Sequence, residues 1–299
     1  MRDLRGARLR VVRRLRLREQ APAGLAPRAR RSVSAEMFVR SAGSGVPEMV
    51  FVHGFTCDHT DWAAQIAEFE GTQAVLACDL RGHGQTPGDP ADCSIETLGA
   101  DVARLVAQRG LKEAILVGHS LGCRVVLEAY GGAPDRIAGV VLIDGSRLGT
   151  DDPAQAEEAL RAAIDFVGFP VFAEALVKGM FFRPSTDATR IVGRAKRLRK
   201  EIGAALFPRM ARWDAARMEA ALDAIRVPLM VIQSTTLNAD RKRVPMKDGE
   251  TIPWLDLVRK RVPTSRIEVI AGVGHFPQIE VPARVNALLA DFVGSLAEF

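Results

Sequence analysis

Nowhere in the chain do 18 apolar residues run together, so no segment reads as a membrane-spanning helix, and membrane association is not expected. Cysteine is scarce. Cys57, Cys78, Cys93 and Cys123 include no CxxC pair and no zinc-ligand spacing, which fits reduced thiols and a cytoplasmic protein with no structural metal. No stretch repeats at the period of a solenoid or propeller, and glycine and proline are scattered along the chain.

Excess charge is lacking too, despite a formal net charge of +5. Residues 1–35 hold eleven arginines, no lysine, and only Asp3 and Glu19 as acids, a net +9, so the remainder carries −4. A mildly acidic body gives no reason to expect a nucleic-acid partner. The Arg-rich head lacks the uninterrupted apolar core of a secretory signal and is expected to be a disordered extension. A basic amphipathic helix or targeting sequence is the other reading of it. With 47% hydrophobic residues, the 299-residue chain can fill a sizeable core, either one large α/β domain with an insertion or two modest domains.

What is present is organised around Leu116-Val117-Gly118-His119-Ser120-Leu121-Gly122. The branched apolar run 114–117 precedes it as a strand. Leu121, Val125, Val126, Leu127 and Ala129 follow at helical spacing. Strand, Gly-x-Ser-x-Gly and helix together describe a very sharp turn that projects a serine hydroxyl into a cleft, where flanking side chains would collide. The turn also aims the Leu121 N–H, in the first turn of a helix, at the place where an oxyanion would form. Ser120 is the candidate nucleophile.

Around it, strands alternate with helices: residues 49–53, 74–78, 137–143, 228–233 and 266–271 read as strands, and a short edge strand is expected near Met37–Arg40. That alternation predicts a mostly parallel, doubly wound sheet, with functional loops at the carboxyl ends of its strands. His53, Asp79, Ser120 and Asp144 all fall at such ends. Between 150 and 224 the strand signal vanishes, and helical stretches break at Gly168-Phe169-Pro170, Phe182-Arg183-Pro184 and Phe207-Pro208. Within this region Arg194, Lys196, Arg197, Arg199 and Lys200 read as a solvated helix face, with a patch for an anionic substrate as the other possibility. Phe166, Phe169, Phe172, Phe181, Phe182 and Phe207 read mostly as a packed helical core, with a pocket lining as the other possibility.

A serine hydroxyl needs a base within hydrogen-bond reach. Of the five histidines, His119 lies inside the turn and should point away from Ser120, His53 and His83 neighbour glycines in other loops, and His59 opens a surface helix. His275 lies in a glycine-flanked loop after the last strand, where a ring can swing over the serine, and is the candidate base.

The segments His53-Gly54-Phe55, Asp79-Leu80-Arg81-Gly82-His83-Gly84, Gly118-His119-Ser120-Leu121-Gly122 and Gly274-His275-Phe276 resemble, in order and spacing, the α/β-hydrolase fold family. More narrowly, they look like its small bacterial esterase, lactonase and carbon–carbon hydrolase branch. The resemblance covers about residues 37–299. It implies a Ser–His–acid triad, an oxyanion hole from the N–H groups of Phe55 and Leu121, a hydrolase core at 36–149 and 225–299, and an inserted helical cap at 150–224. The acid departs from the family pattern. Its usual loop reads Ser234-Thr235-Thr236-Leu237-Asn238-Ala239-Asp240, with Asp240 arriving late, whereas some relatives carry the acid where this chain has Asp144. Asp144 is the preferred candidate and Asp240 the alternative. The implied activity is cleavage of a small-molecule carboxylic ester or related acyl compound through an acyl-enzyme, with no metal or organic cofactor. A carbon–carbon hydrolase, perhydrolase or acyltransferase would use the same residues, and the fold also hosts slow-turnover ligand receptors.

Overall fold

In a computed structural model of the chain, residues 36–149, 152–238 and 242–296 are described. The Arg-rich head and Asp240 lie outside them.

The chain runs β1 (Val39–Ala42), β2 (Met49–Val52), α1 (Ala63–Phe69), β3 (Val75–Cys78), α2 (Ile95–Gln108), β4 (Ala114–His119), α3 (Leu121–Gly132) and β5 (Ile137–Ile143). Five helices follow: α4 (Pro153–Val167), α5 (Phe169–Lys178), α6 (Thr186–Arg197), α7 (Lys200–Ala216) and α8 (Met218–Asp223). After them come β6 (Leu229–Gln233), a hairpin of β7 (Thr235–Leu237) and β8 (Arg243–Pro245), α9 (Pro253–Arg261), β9 (Arg266–Val269), α10 (Pro277–Glu280) and α11 (Pro282–Ser295).

Seven strands form one sheet in the order β1-β3-β2-β4-β5-β6-β9, parallel throughout except for β1, which pairs antiparallel with β3 at the edge. Successive residues of each strand point to opposite faces, and both faces are covered. Val50, Leu116, Leu142 and Val231 pack under α2, α3 and α9, whereas Phe51, Val117, Val141 and Ile232 pack under α1 and α11. This double burial is why the central strands read as unbroken apolar runs. Register then aligns their carboxyl ends: Val52 lies beside Gly118, His119 beside Ile143, Ile143 beside Ile232, and Gln233 beside Val269.

Helices α4–α8 are inserted between β5 and β6, and side-chain caps open two of them: Asp152 accepts from Ala154 N and Gln155 N at α4, and Ser185 from Ala188 N at α6. Glycine and proline separate α4 from α5 and α5 from α6 as expected. Phe207-Pro208 does not break the chain, because α7 continues through Pro208. A proline inside a helix forfeits a backbone hydrogen bond and costs ~3 kcal/mol. Here burial of Leu206, Phe207, Met210 and Trp213 on the same helix offsets that loss.

Arg194 also departs from its reading as a solvated residue. It folds inward from α6 and pairs with Asp58 at 2.7 Å and with Asp61, while Arg190 joins Asp61 at 3.2 Å. On the far side, Arg209 donates to the carbonyls of Pro90 and Cys93 at 2.8 and 2.6 Å. The inserted helices are therefore clamped to the sheet domain by charge-assisted bonds as well as by apolar contact.

Candidate active site

Ser120 closes β4 and opens α3 with φ 53° and ψ −107°, a conformation that side chains strongly disfavour. The ladder holds it there, because its N–H donates to Ile143 O at 2.9 Å. The two flanking glycines are required by proximity: a Cβ on Gly118 would lie 2.3 Å from Gly122 O, and one on Gly122 would lie 2.2 Å from Val52 O. Sheet, turn and helix are therefore packed backbone to backbone around the serine.

One strand over, the ladder is extended in the same way by Asp144, whose N–H donates to Ile232 O at 2.8 Å and whose φ is 47°. Its carboxylate is fully buried and well supplied with donors. Oδ1 accepts from the N–H groups of Ser234 and Thr235 at 2.8 and 2.7 Å, and Oδ2 accepts from Thr235 Oγ1 at 2.5 Å.

His275 bridges the two. Its Nδ1 donates to Asp144 Oδ2 at 2.5 Å, and its Nε2 lies 2.8 Å from Ser120 Oγ. The backbone of the His275 loop is pinned on both sides, by its own N–H to Met180 O at 2.9 Å and by His119 Nε2 donating to His275 O at 2.7 Å. Burial, together with the charge of Arg243, pushes the His275 imidazole down to about 4 against the opposing pull of Asp144. For Asp144, burial alone would raise the carboxyl, but His275, Arg243 and Thr235 outweigh it and hold it below its ordinary value. At neutral pH the line is a serine, a neutral imidazole with a bare Nε2 and a carboxylate. Such a line can take a proton from the hydroxyl and stabilise the imidazolium that results.

The backbone of Gly54 borders the serine, since a Cβ there would lie 3.3 Å from Ser120 Cβ. Among the described residues, neither the N–H of Phe55 nor that of Leu121 has an acceptor. The other histidines are engaged elsewhere. His53 donates from Nδ1 to Gly54 O and accepts from Leu80 N, His59 pairs with Asp79, and His83 bonds to Arg81 O. Asp79 binds the N–H groups of His59 and Gln85 and plays no part in the Ser120 line. Asp240 lies outside the described residues. Among those described, no three His, Cys, Asp or Glu side chains converge as metal ligands would.

A cavity of about 530 Å³ opens over Ser120. Phe172, Phe181, Phe182 and Phe207 line it, so most of the inserted region's phenylalanines face a pocket rather than serving only as core; Phe166 is 90% exposed. Arg124, Lys242 and Arg243 line it as well. Arg124 is fixed from two sides, by Asp214 through Nε and Nη2 at 2.7 Å each, and by Ser146 O at 2.7 Å. Sequence reading missed Thr235, Arg243 and the Arg124–Asp214 pair. None belongs to a periodic or glycine-marked stretch, and only the short hairpin β7–β8 brings the first two to Asp144.

The sequence profile of the Alpha/beta hydrolase family matches residues 49–288. The chain is 26% identical over 264 residues to the dihydrolipoyllysine-residue acetyltransferase component of the acetoin cleaving system of Cupriavidus necator, covering 84% of this chain and 65% of that one. It is 32% identical over 158 residues to the 2-(acetamidomethylene)succinate hydrolase of Mesorhizobium japonicum, covering 51% and 55%. The match therefore spans less than two thirds of the length of either relative. Among solved structures, a thermophilic esterase from Thermogutta terrifontis with malate bound aligns at a TM-score of 0.72 and 26% identity, over 87% of this chain and 93% of that one.

Proposed function

Since the chain belongs to the alpha/beta hydrolase family, we propose that it is a serine hydrolase cleaving a carboxylic ester or a related acyl compound. The observation that carries this reading is the continuous line from Ser120 Oγ through both nitrogens of His275 to Asp144 Oδ2, at 2.8 and 2.5 Å.

Ser120 Oγ attacks the substrate carbonyl as its proton passes to His275 Nε2. The N–H groups of Phe55 and Leu121 receive the negative oxygen of the tetrahedral intermediate; losing one such donor costs ~3–4 kcal/mol of transition-state stabilisation. The imidazolium, stabilised by Asp144, returns its proton to the leaving alcohol, and an acyl group remains on Ser120. Water then loses a proton to the same Nε2, attacks the acyl carbonyl and releases the acid. The helices within 150–224 act as a cap over the pocket, and their phenylalanines exclude solvent from the reacting carbonyl.

Labelling with a fluorophosphonate, followed by a series of p-nitrophenyl esters of graded chain length, tests the reading. Covalent labelling of Ser120 and multiple-turnover release of nitrophenol are expected, both lost in Ser120→Ala. Stoichiometric binding without turnover would overturn it in favour of a receptor on the same fold.

A further inference from the structure

The hairpin β7–β8 carries Lys242 and Arg243 to the wall of the Ser120 cavity. Among the described residues, Lys242 has no acidic partner and Arg243 uses only one of its nitrogens. Arg243 Nη1 donates to Thr235 Oγ1 at 2.6 Å and stands 3.4 Å from Asp144 Oδ2, an oxygen already bonded at 2.5 Å by both His275 and Thr235. The adjacent pair Nε and Nη2 has no partner among the described residues, although the side chain is only 10% exposed. Lys242 forms no ion pair among them, and no described acidic side chain lines the cavity. Arg124, the remaining cation, is neutralised by Asp214.

The rest of the wall is mostly apolar, so the open edge of this guanidinium, whose charge Asp144 offsets from the other side, is placed to bind an anion more strongly than one at the surface would. The Nε–Nη2 edge of a guanidinium presents two parallel N–H groups matched to the two oxygens of a carboxylate. On another side of Arg243 lies a second compartment of about 210 Å³, which shares Ser146, Leu237 and Arg243 with the main cavity as lining residues. Trp254 lines that compartment; the residue is 5% exposed, and its Nε1 is buried without a partner among the described residues. Arg243 connects to the Ser120 hydroxyl through Asp144 and the imidazole of His275, at 3.4, 2.5 and 2.8 Å in turn, and Arg243 and Ser120 line the same cavity.

The geometry points to an ester that itself carries a carboxylate, of which the monoester of a short dicarboxylic acid is the simplest form. Its carbonyl sits at Ser120, its carboxylate against the Nε–Nη2 edge of Arg243, and Lys242 stands at the rim. This assignment rests on the serine hydrolase reading and adds the substrate class to it.

The experiment compares monomethyl with dimethyl esters of dicarboxylic acids of increasing length, on the full chain. At one or more lengths the wild type should favour the monomethyl ester in kcat/KM. Arg243→Met should lower that preference on the order of 10- to 100-fold, the effect of removing a hydrogen-bonded charge, and Arg243→Lys should restore part of it. Because Arg243 also approaches Asp144, the variant can slow both substrates; the ratio between them is the readout. Equal losses for both esters would overturn the proposal and leave Arg243 as a positioning residue for Asp144. A wild-type preference for the diester at every length would overturn it without any variant. Calorimetric binding of the same esters to Ser120→Ala supplies a readout independent of turnover, and tighter binding of the diester at every length would likewise overturn it. Labelled Ser120 with turnover of diesters alone would sink this inference and leave the hydrolase reading intact. An unlabelled Ser120 would sink the hydrolase reading instead.

Discussion

His275 Nδ1 donates to Asp144 Oδ2 at 2.5 Å, and that carboxylate, fully buried, is gripped from the other side by two backbone N–H groups and a threonine hydroxyl. The bond fixes the imidazole tautomer so that Nε2 is bare towards Ser120. Asp144→Asn should therefore reduce kcat for p-nitrophenyl butyrate on the order of 10⁴-fold. Asp240→Asn should change it little. Steady-state kinetics of the two variants decide the matter, and the reverse ranking would transfer the acid's role to Asp240.

The pH profile should reflect the base. Burial and Arg243 hold the His275 imidazole at about 4, so its neutral, proton-accepting form persists well below the usual histidine range. The acid limb of kcat/KM for a neutral ester should fall near pH 4 rather than near 6.5. An acid limb at pH 6 or above would contradict the assigned environment.

Acid should weaken the fold before it silences the site. Burial lowers His53 well below its ordinary value, His83 and His275 to about 4, and His119 to about 3. Each depressed folded value means that the unfolded chain binds more protons between roughly pH 6.5 and the folded value. Stability then falls as pH drops through that window, by about 1.4 kcal/mol per pH unit for each proton taken up. Glu280, whose carboxyl burial raises, works in the opposite sense. Melting temperature should decline steadily from pH 7 to pH 4.5, and a flat curve would count against the neutral buried rings.

Behind the serine, Arg124 and Asp214 form a fully buried pair that ties α3 to α7. Asp214→Ala leaves a buried cation without its counter-charge and should cost ~3–5 kcal/mol in urea unfolding. Replacing both, as Arg124→Met with Asp214→Leu, should recover most of that loss. If the single and double variants are equally damaged, packing rather than charge carries the contact.

Much of the frame was legible in the sequence because parallel strands buried on both faces leave long apolar runs, and their ends are marked by Gly54, Gly118 and Asp144. The glycines around Ser120 were legible for a related reason, since close backbone approach leaves no room for any other residue. The hairpin β7–β8 was not. Its strands are three residues each and too short to show a period, so Thr235 and Arg243 gave no sign that they meet Asp144. Arg194 was misread because an arginine among other cations looks solvated. Its acidic partners, Asp58 and Asp61, lie more than 130 residues away in the chain. Pro208 misled because local propensity is overridden where the neighbouring residues are deeply packed.

Only three described residues other than glycine adopt a positive φ, and they are Thr56, Ser120 and Asp144, in the loops that follow β2, β4 and β5. Each costs of order 1–3 kcal/mol where a glycine would relax. The sheet thus holds, along one edge, a set of side chains that backbone strain alone would disfavour. Glycine would relieve that strain, but at Asp144 it would also strand the donors that its buried carboxylate satisfies. The strain at these three positions limits how stable this fold can become while it keeps a hydroxyl and a carboxylate in place.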